Sequence, residues 1–108
     1  MKSKDLIKLI PNKVRITRNA TYEVVYTDNV ISGKDLYGET RFEPVRQIVL
    51  LNQQSDTEKY KTFLHECIHA IDFESKELNL TENQVRALEQ GIFRVLKLNG
   101  ILDLLVKK

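Results

Sequence analysis

The sequence predicts an α+β fold in which a small, mostly antiparallel β-sheet from the N-terminal half packs on two helices from the C-terminal half. Short segments rich in β-branched and aromatic residues, separated by turn residues, fill the first 52 positions. The remaining positions carry two helix-start signals, each followed by a long helical pattern. No repeat or linker divides the chain, so we expect residues 1–108 to form one domain.

Four segments have strand character, at residues 14–17, 22–27, 36–42 and 46–52. Turn signals at Asp28-Asn29 and Ser32-Gly33 separate the second segment from the third. Pro44 follows the third segment closely, and proline is tolerated there if the strand lies at a sheet edge. The fourth contains the continuous apolar run 48–51, which is typical of a strand covered on both faces.

Two capping-box patterns predict where the helices begin: Ser55 with Glu58, and Thr81 with Gln84. The first helix is expected to run to about residue 74 and the second to about residue 98. Asn99-Gly100 is a stop signal for the second helix, because both residue types favour helix ends. Residues 102–106 are expected to form a last short turn or helix.

Composition and charge exclude several functional classes. With 42% apolar and 30% charged residues, the chain has the composition of a soluble globular protein. A net charge of +2, without a basic block interleaved with aromatics, argues against nucleic-acid binding. The apolar stretch 6–10 is too short for a secretory signal, and no window suits a membrane span. We expect a cytoplasmic protein without membrane contacts, and its single cysteine cannot form an internal disulfide.

The chemistry of the chain is concentrated in the run His65-Glu66-Cys67-Ile68-His69, which holds both of its histidines. On a helix, His65 and His69 lie about 40° apart and one turn from each other, so they can share one metal ion. Zn²⁺ is the usual occupant of sites built from two histidines and a carboxylate. Glu66 lies beside them, where it can act as general base towards a water at the metal.

The same helix has an apolar face that is expected to turn this motif towards a cleft. Seven residues fall on it: Tyr60, Phe63, Leu64, Cys67, Ile68, Ala70 and Ile71. We expect this face to lie in the core and the motif residues to lie on the opposite side. Cys67 is interpreted as a core residue rather than a nucleophile or a metal ligand.

A catalytic zinc normally has three protein ligands, so a carboxylate must complete the site. We favour Glu82, which opens the second helix thirteen residues after His69; its alternative role is favourable placement at a helix N-terminus. Glu89 lies on the same side of that helix and is the second candidate. Asp72 is the third, although it is more suited to accepting a hydrogen bond from a ligand imidazole or the backbone, or to a solvated helix end. An oxyanion-stabilising group is also needed, and Tyr37, Tyr22 or an arginine could supply it.

The segments 36–40, 46–50, 62–72, 80–85 and 88–96 resemble small phage- and prophage-encoded HExxH proteins over about two-thirds of the chain. The layout is also similar to the minimal gluzincin domains of the ImmA/IrrE and SprT-like families. This resemblance implies a zincin-like metallopeptidase domain in which a glutamate of the following helix completes the zinc site, which adds weight to Glu82. It also implies a sheet edge that aligns extended peptide, either residues 48–51 or the strand around Phe42.

The leading hypothesis is therefore a zinc metallopeptidase that uses Glu66 as general base on a protein or peptide substrate, inside a phage-infected or lysogenic bacterial host. The alternative is a metal-stabilised protein-binding factor of phage origin with little turnover. A nucleic-acid-associated role is suggested only by mild basicity and by the SprT-like resemblance, and the near-balanced charge argues against it.

Overall fold

The computed structural model describes residues 3–29 and 37–107. A 3-10 helix, Ser3–Leu9, is followed by strands β1 (Lys13–Thr17), β2 (Ala20–Thr27), β3 (Gly38–Arg41) and β4 (Gln47–Leu51), and then by helices α1 (Asp56–Ser75), α2 (Glu82–Leu98) and α3 (Ile101–Val106). The α+β class is confirmed. The start of the predicted third strand, at Leu36, and the turn at Ser32-Gly33 lie outside the described residues. None of the helices described is both long and apolar enough to cross a membrane.

The four strands form one mixed sheet in the order β1-β2-β4-β3. The β1–β2 and β3–β4 pairs are antiparallel and β2 and β4 are parallel, so the sheet that was predicted as mostly antiparallel is a mixed one. The parallel pair arises because β4, the last strand in the chain, takes the inner position between β2 and β3. Its residues Ile48 to Leu51 are all at most 9% exposed, so the most apolar strand takes the place where both faces can be covered.

This topology makes β3 an edge strand, because among the described strands it pairs only with β4. The resemblance left two candidates for the substrate-aligning edge, and residues 48–51 are the wrong one, since β4 has a neighbour on each side. Pro44 lies beyond the last residue of β3, where it removes no ladder hydrogen bond.

Helix α1 packs against the sheet, the 3-10 helix and α2, so its middle turns are enclosed on several sides. Tyr60, Phe63, Ile68 and Ala70 are buried as predicted, whereas Ile71 is 45% exposed, contrary to expectation. Ile71 is not part of the core cluster, which on α1 reaches only as far as Ala70. The 3-10 helix, whose Leu6 belongs to the core, was not predicted from the sequence.

The helix starts follow the predicted capping chemistry. The Ser55 hydroxyl accepts a hydrogen bond from the Glu58 N–H at 3.2 Å. At α2, both halves of the Thr81–Gln84 capping box are present, at 3.1 and 2.8 Å. Gly100, with φ of 70°, separates α2 from α3 in a left-handed conformation that glycine adopts without strain.

A partly exposed hydrogen-bond network ties the end of α1 to the sheet. The Tyr22 hydroxyl donates to Glu74 Oε2 at 2.6 Å, and Arg46 Nε donates to the same oxygen at 2.7 Å. These two donors lower the pKa of the Glu74 carboxyl, while burial is the main cause that raises the pKa of the Tyr22 phenol.

We therefore expect Glu74 to stabilise the fold in a pH-dependent way. Because its folded-state pKa lies below the ordinary value of 4.5, its contribution is complete above that pH and disappears as the pH falls through the lowered value. The free energy of unfolding of the wild type should exceed that of Glu74→Gln at pH 7, and the gap should narrow towards pH 3. Urea denaturation across this range measures it, and a gap independent of pH would contradict the assignment.

Gly38 is predicted to be required by close packing of β3 on α1. A Cβ atom at this position would lie 2.5 Å from Thr62 Cγ2 and 3.1 Å from Glu66 Cγ. Gly38→Ala should therefore lower the free energy of unfolding by about 1–3 kcal/mol. Gly91→Ala is the matched control, because among the described residues its Cβ would meet only Arg94 Nη2, at 3.9 Å. This substitution should stabilise α2 by about 0.5–1 kcal/mol. Equal effects in urea denaturation would contradict this account.

Candidate metal centre

The two histidines of α1 face the first turn of α2, where Glu82 is the first helical residue. His65 Nε2 lies 2.7 Å from Glu82 Oε1, and His69 Nε2 lies 3.1 Å from Glu82 Oε2. The donor atoms of the three residues all lie within 4.8 Å of one another, so the group could hold a metal ion. The structure thus brings together the three residues that the sequence analysis favoured as ligands.

The donor chemistry of this group fits a metal cation. The carboxylate of Glu82 only accepts hydrogen bonds, and it presents one oxygen to the Nε2 atom of each histidine. A neutral imidazole that binds a metal through Nε2 directs a lone pair towards the same place. A cation bound between the three side chains would therefore interact favourably with each of these donor atoms.

Glu66 is buried, at 1% exposure, on the side of α1 that faces β3. Thr40 Oγ1 lies 2.8 Å from Glu66 Oε1 and 3.0 Å from the main-chain oxygen of Glu66, and its hydroxyl donates to them. Gly38, two residues before Thr40, has no side chain and so leaves room for the side chain of Glu66. The edge strand therefore fixes the position of the carboxylate next to the first histidine.

A cavity of about 320 Å³ opens beside His65 and Glu66, between β3 and the first half of α2. Two of the three groups considered for oxyanion stabilisation belong to it: Tyr37, and an arginine, Arg86, whose Nε lies 3.8 Å from Glu82 Oε1. Tyr22 does not line it and is engaged by Glu74. The geometry thus favours Tyr37 or Arg86 over Tyr22 for that role.

The two other carboxylate candidates lie outside the three-residue group. Glu89 Oε1 is 3.6 Å from His65 Nδ1, the ring nitrogen on the far side from Glu82. Burial raises the pKa of the Glu89 carboxyl, and Lys61 and His65 oppose this shift. Asp72 Oδ1 accepts a hydrogen bond from the Leu80 N–H at 3.3 Å, the backbone role considered for it.

Cys67 packs against the core, and burial raises the pKa of its thiol to about 12. Such a thiol stays protonated at neutral pH, so it is a poor nucleophile and a poor metal ligand. This agrees with the interpretation of Cys67 as a core residue.

Sequence reasoning missed Thr40 and Gly38, both of which contact Glu66. Alternation along the predicted strand 36–42 already places the two residues on one face, as observed in β3. Their contact with α1 depends on the position of β3 in the sheet, and no local pattern reports that position.

Removing the carboxylate of Glu82 should weaken metal binding strongly. We expect the wild type to bind one Zn²⁺ per chain and Glu82→Ala to lose about 100-fold or more in affinity, since one of three ligands is removed. Titration against a competing chelator measures both. Glu77→Ala, which removes an exposed carboxylate in the loop after α1, should bind as the wild type does. Equal affinities in Glu82→Ala and Glu77→Ala would exclude Glu82 as a ligand.

Comparisons of this chain with protein-family models, with curated proteins and with solved structures give no match. The chemistry of the site is therefore inferred from the residues themselves.

Proposed function

We propose that this chain is a zinc-dependent metallopeptidase with a minimal zincin-like domain, in which Glu66 is the general base. The observation that carries the proposal is the conjunction of two features. His65, His69 and Glu82 form a group that could hold a metal ion, and the carboxylate of Glu66 lines the same cavity as His65. A metal site that only stabilised the fold would not need a second carboxylate beside that of Glu82.

The choice of zinc rests on the donor set. Two imidazoles and one carboxylate are typical of catalytic zinc sites, in which a fourth position stays open for water or substrate. When bound, zinc supplies Lewis acidity, which lowers the pKa of a water towards about 7 and polarises a carbonyl group.

The residues of the chain then carry the proton transfers of peptide hydrolysis. Glu66 takes a proton from the attacking water while the water oxygen forms a bond to the carbonyl carbon. The carbon–nitrogen bond breaks, and Glu66 passes the proton to the leaving amine. The Thr40 hydroxyl holds Glu66 Oε1 at 2.8 Å, which limits rotation of the carboxylate between the two transfers.

The outer edge of β3 supports an extended peptide as the substrate. Leu51 N–H donates to Tyr37 C=O at 2.9 Å, and Glu39 pairs with Val49, so the backbone groups of Glu39 point towards β4. Those of Gly38 and Thr40 consequently point away from β4, where a peptide strand could pair with them. Both residues contact Glu66, so a peptide paired there would lie beside the general base.

One observation favours the alternative of a metal-stabilised binding factor with little turnover. Glu66 is only 1% exposed, whereas a general base must contact water. In the peptidase, Glu66 reaches water through the cavity that it lines; in the binding factor, it serves only to attach β3 to α1.

Glu66→Gln separates these two functions. The peptidase proposal predicts that this variant keeps zinc affinity and loses about 10²–10⁴-fold in peptide hydrolysis, because Gln cannot take a proton. Mass spectrometry of a peptide library incubated with zinc-loaded protein measures cleavage. Glu77→Gln is the matched control and should cleave as the wild type does. Zinc-loaded wild type that cleaves no better than Glu66→Gln would favour the binding factor.

A further inference from the structure

His65 has a carboxylate on each side of its ring. Nε2 lies 2.7 Å from Glu82 Oε1, and Nδ1 lies 3.6 Å from Glu89 Oε1. The two glutamates are seven residues apart on α2, which places them two turns apart on the same side of the helix. Because His65 is only 6% exposed, water has little access to compete for either nitrogen.

The hydrogen-bonding capacity of imidazole makes these two contacts unequal. A neutral imidazole has one N–H and one lone pair, and both carboxylates accept hydrogen bonds only. If the lone pair on Nε2 is used by a metal ion, the N–H must be on Nδ1, where it points at Glu89. A hydrogen bond to Glu89 would therefore favour the tautomer that leaves Nε2 available as a ligand.

Glu89 occupies a place that is unfavourable for a carboxylate. Its side chain is 12% exposed, and its Oε2 atom is buried without a hydrogen-bond partner among the described residues. Burying a carboxylate in this way costs free energy that an apolar side chain of similar size would not. Buried carboxylates that destabilise the fold in this way are expected mainly at functional sites.

We propose that Glu89 is a positioning residue of the metal centre, accepting a hydrogen bond from Nδ1 of His65 so that Nε2 faces the metal. This inference rests on the proposed metal site and assigns Glu89 a role other than that of third ligand. As a ligand, Glu89 would have to approach the side of the ring where Nε2 lies. His65 and His69 both direct that atom towards Glu82 instead.

Glu89→Leu tests the proposal because it should change metal binding and stability in opposite directions. Without the carboxylate, zinc affinity should fall about 10- to 100-fold, as on loss of other groups that orient a ligand. The metal-free protein should melt at the same or a higher temperature, because the buried carboxylate is gone. A residue that only supported the fold would give a lower melting temperature with unchanged zinc affinity.

Two further variants complete the experiment. Glu89→Gln keeps an oxygen that can accept from Nδ1, so its zinc affinity should lie between those of the wild type and Glu89→Leu. Glu58→Leu removes a carboxylate that is 60% exposed and pairs with Lys61, so its zinc affinity should match the wild type. If Glu58→Leu lost as much zinc affinity as Glu89→Leu, the loss would come from removing any nearby negative charge, and the proposal would be overturned.

Nitrogen NMR of the imidazole rings provides a readout that does not depend on activity. In the zinc-loaded wild type, the Nδ1 atom of His65 should carry the proton, and its signal should shift in Glu89→Leu. If the wild type binds zinc and Glu89→Leu binds it equally well, the positioning role proposed for Glu89 is wrong, but the proposed metal site is retained. If the wild type binds no zinc, the proposed function fails as well.

Discussion

The candidate metal centre depends on one constraint, the position at which α2 begins relative to α1. Lys76 ends α1 in a left-handed conformation, and the Asp72 carboxylate holds the Leu80 N–H eight residues later. Thr81 then caps α2, which makes Glu82 its first helical residue. A shift of one residue in this connection would rotate Glu82 by about 100° and remove it from both histidines.

The sheet provides the second half of the site because its strand order places β3 beside α1. Because β4 takes the inner position, β3 lies at the edge of the sheet and against α1, where Gly38 and Thr40 contact Glu66. The general base we propose is thus held by an edge strand with outward-facing backbone groups, and the ligands are held by a helix–helix contact. Two different parts of the fold meet at the consecutive residues His65 and Glu66.

The sequence was most informative where the determinants are local. Helix starts follow from capping chemistry within three residues, and the relation of His65 to His69 follows from helix geometry alone. The mixed sheet, the exposure of Ile71 and the contact of Thr40 with Glu66 depend on residues distant in the chain. No alternation or spacing reports such contacts, because the same strand pattern suits an inner or an edge position. Glu82 could be favoured from sequence because the connection to it is short and because the resemblance places a ligand on the following helix.

The polar groups at the contact between α1 and α2 connect metal binding to folding. The carboxylates of Glu82 and Glu89 lie on either side of the His65 ring, and that of Glu66 lines the same cavity as His65. Like charges at short distance repel, and among the described groups Lys61, Arg86 and His65 oppose that repulsion. A divalent cation bound between His65, His69 and Glu82 would attract all three carboxylates. Because these ligands come together only when α2 packs on α1, the binding free energy of the cation would also stabilise that packing.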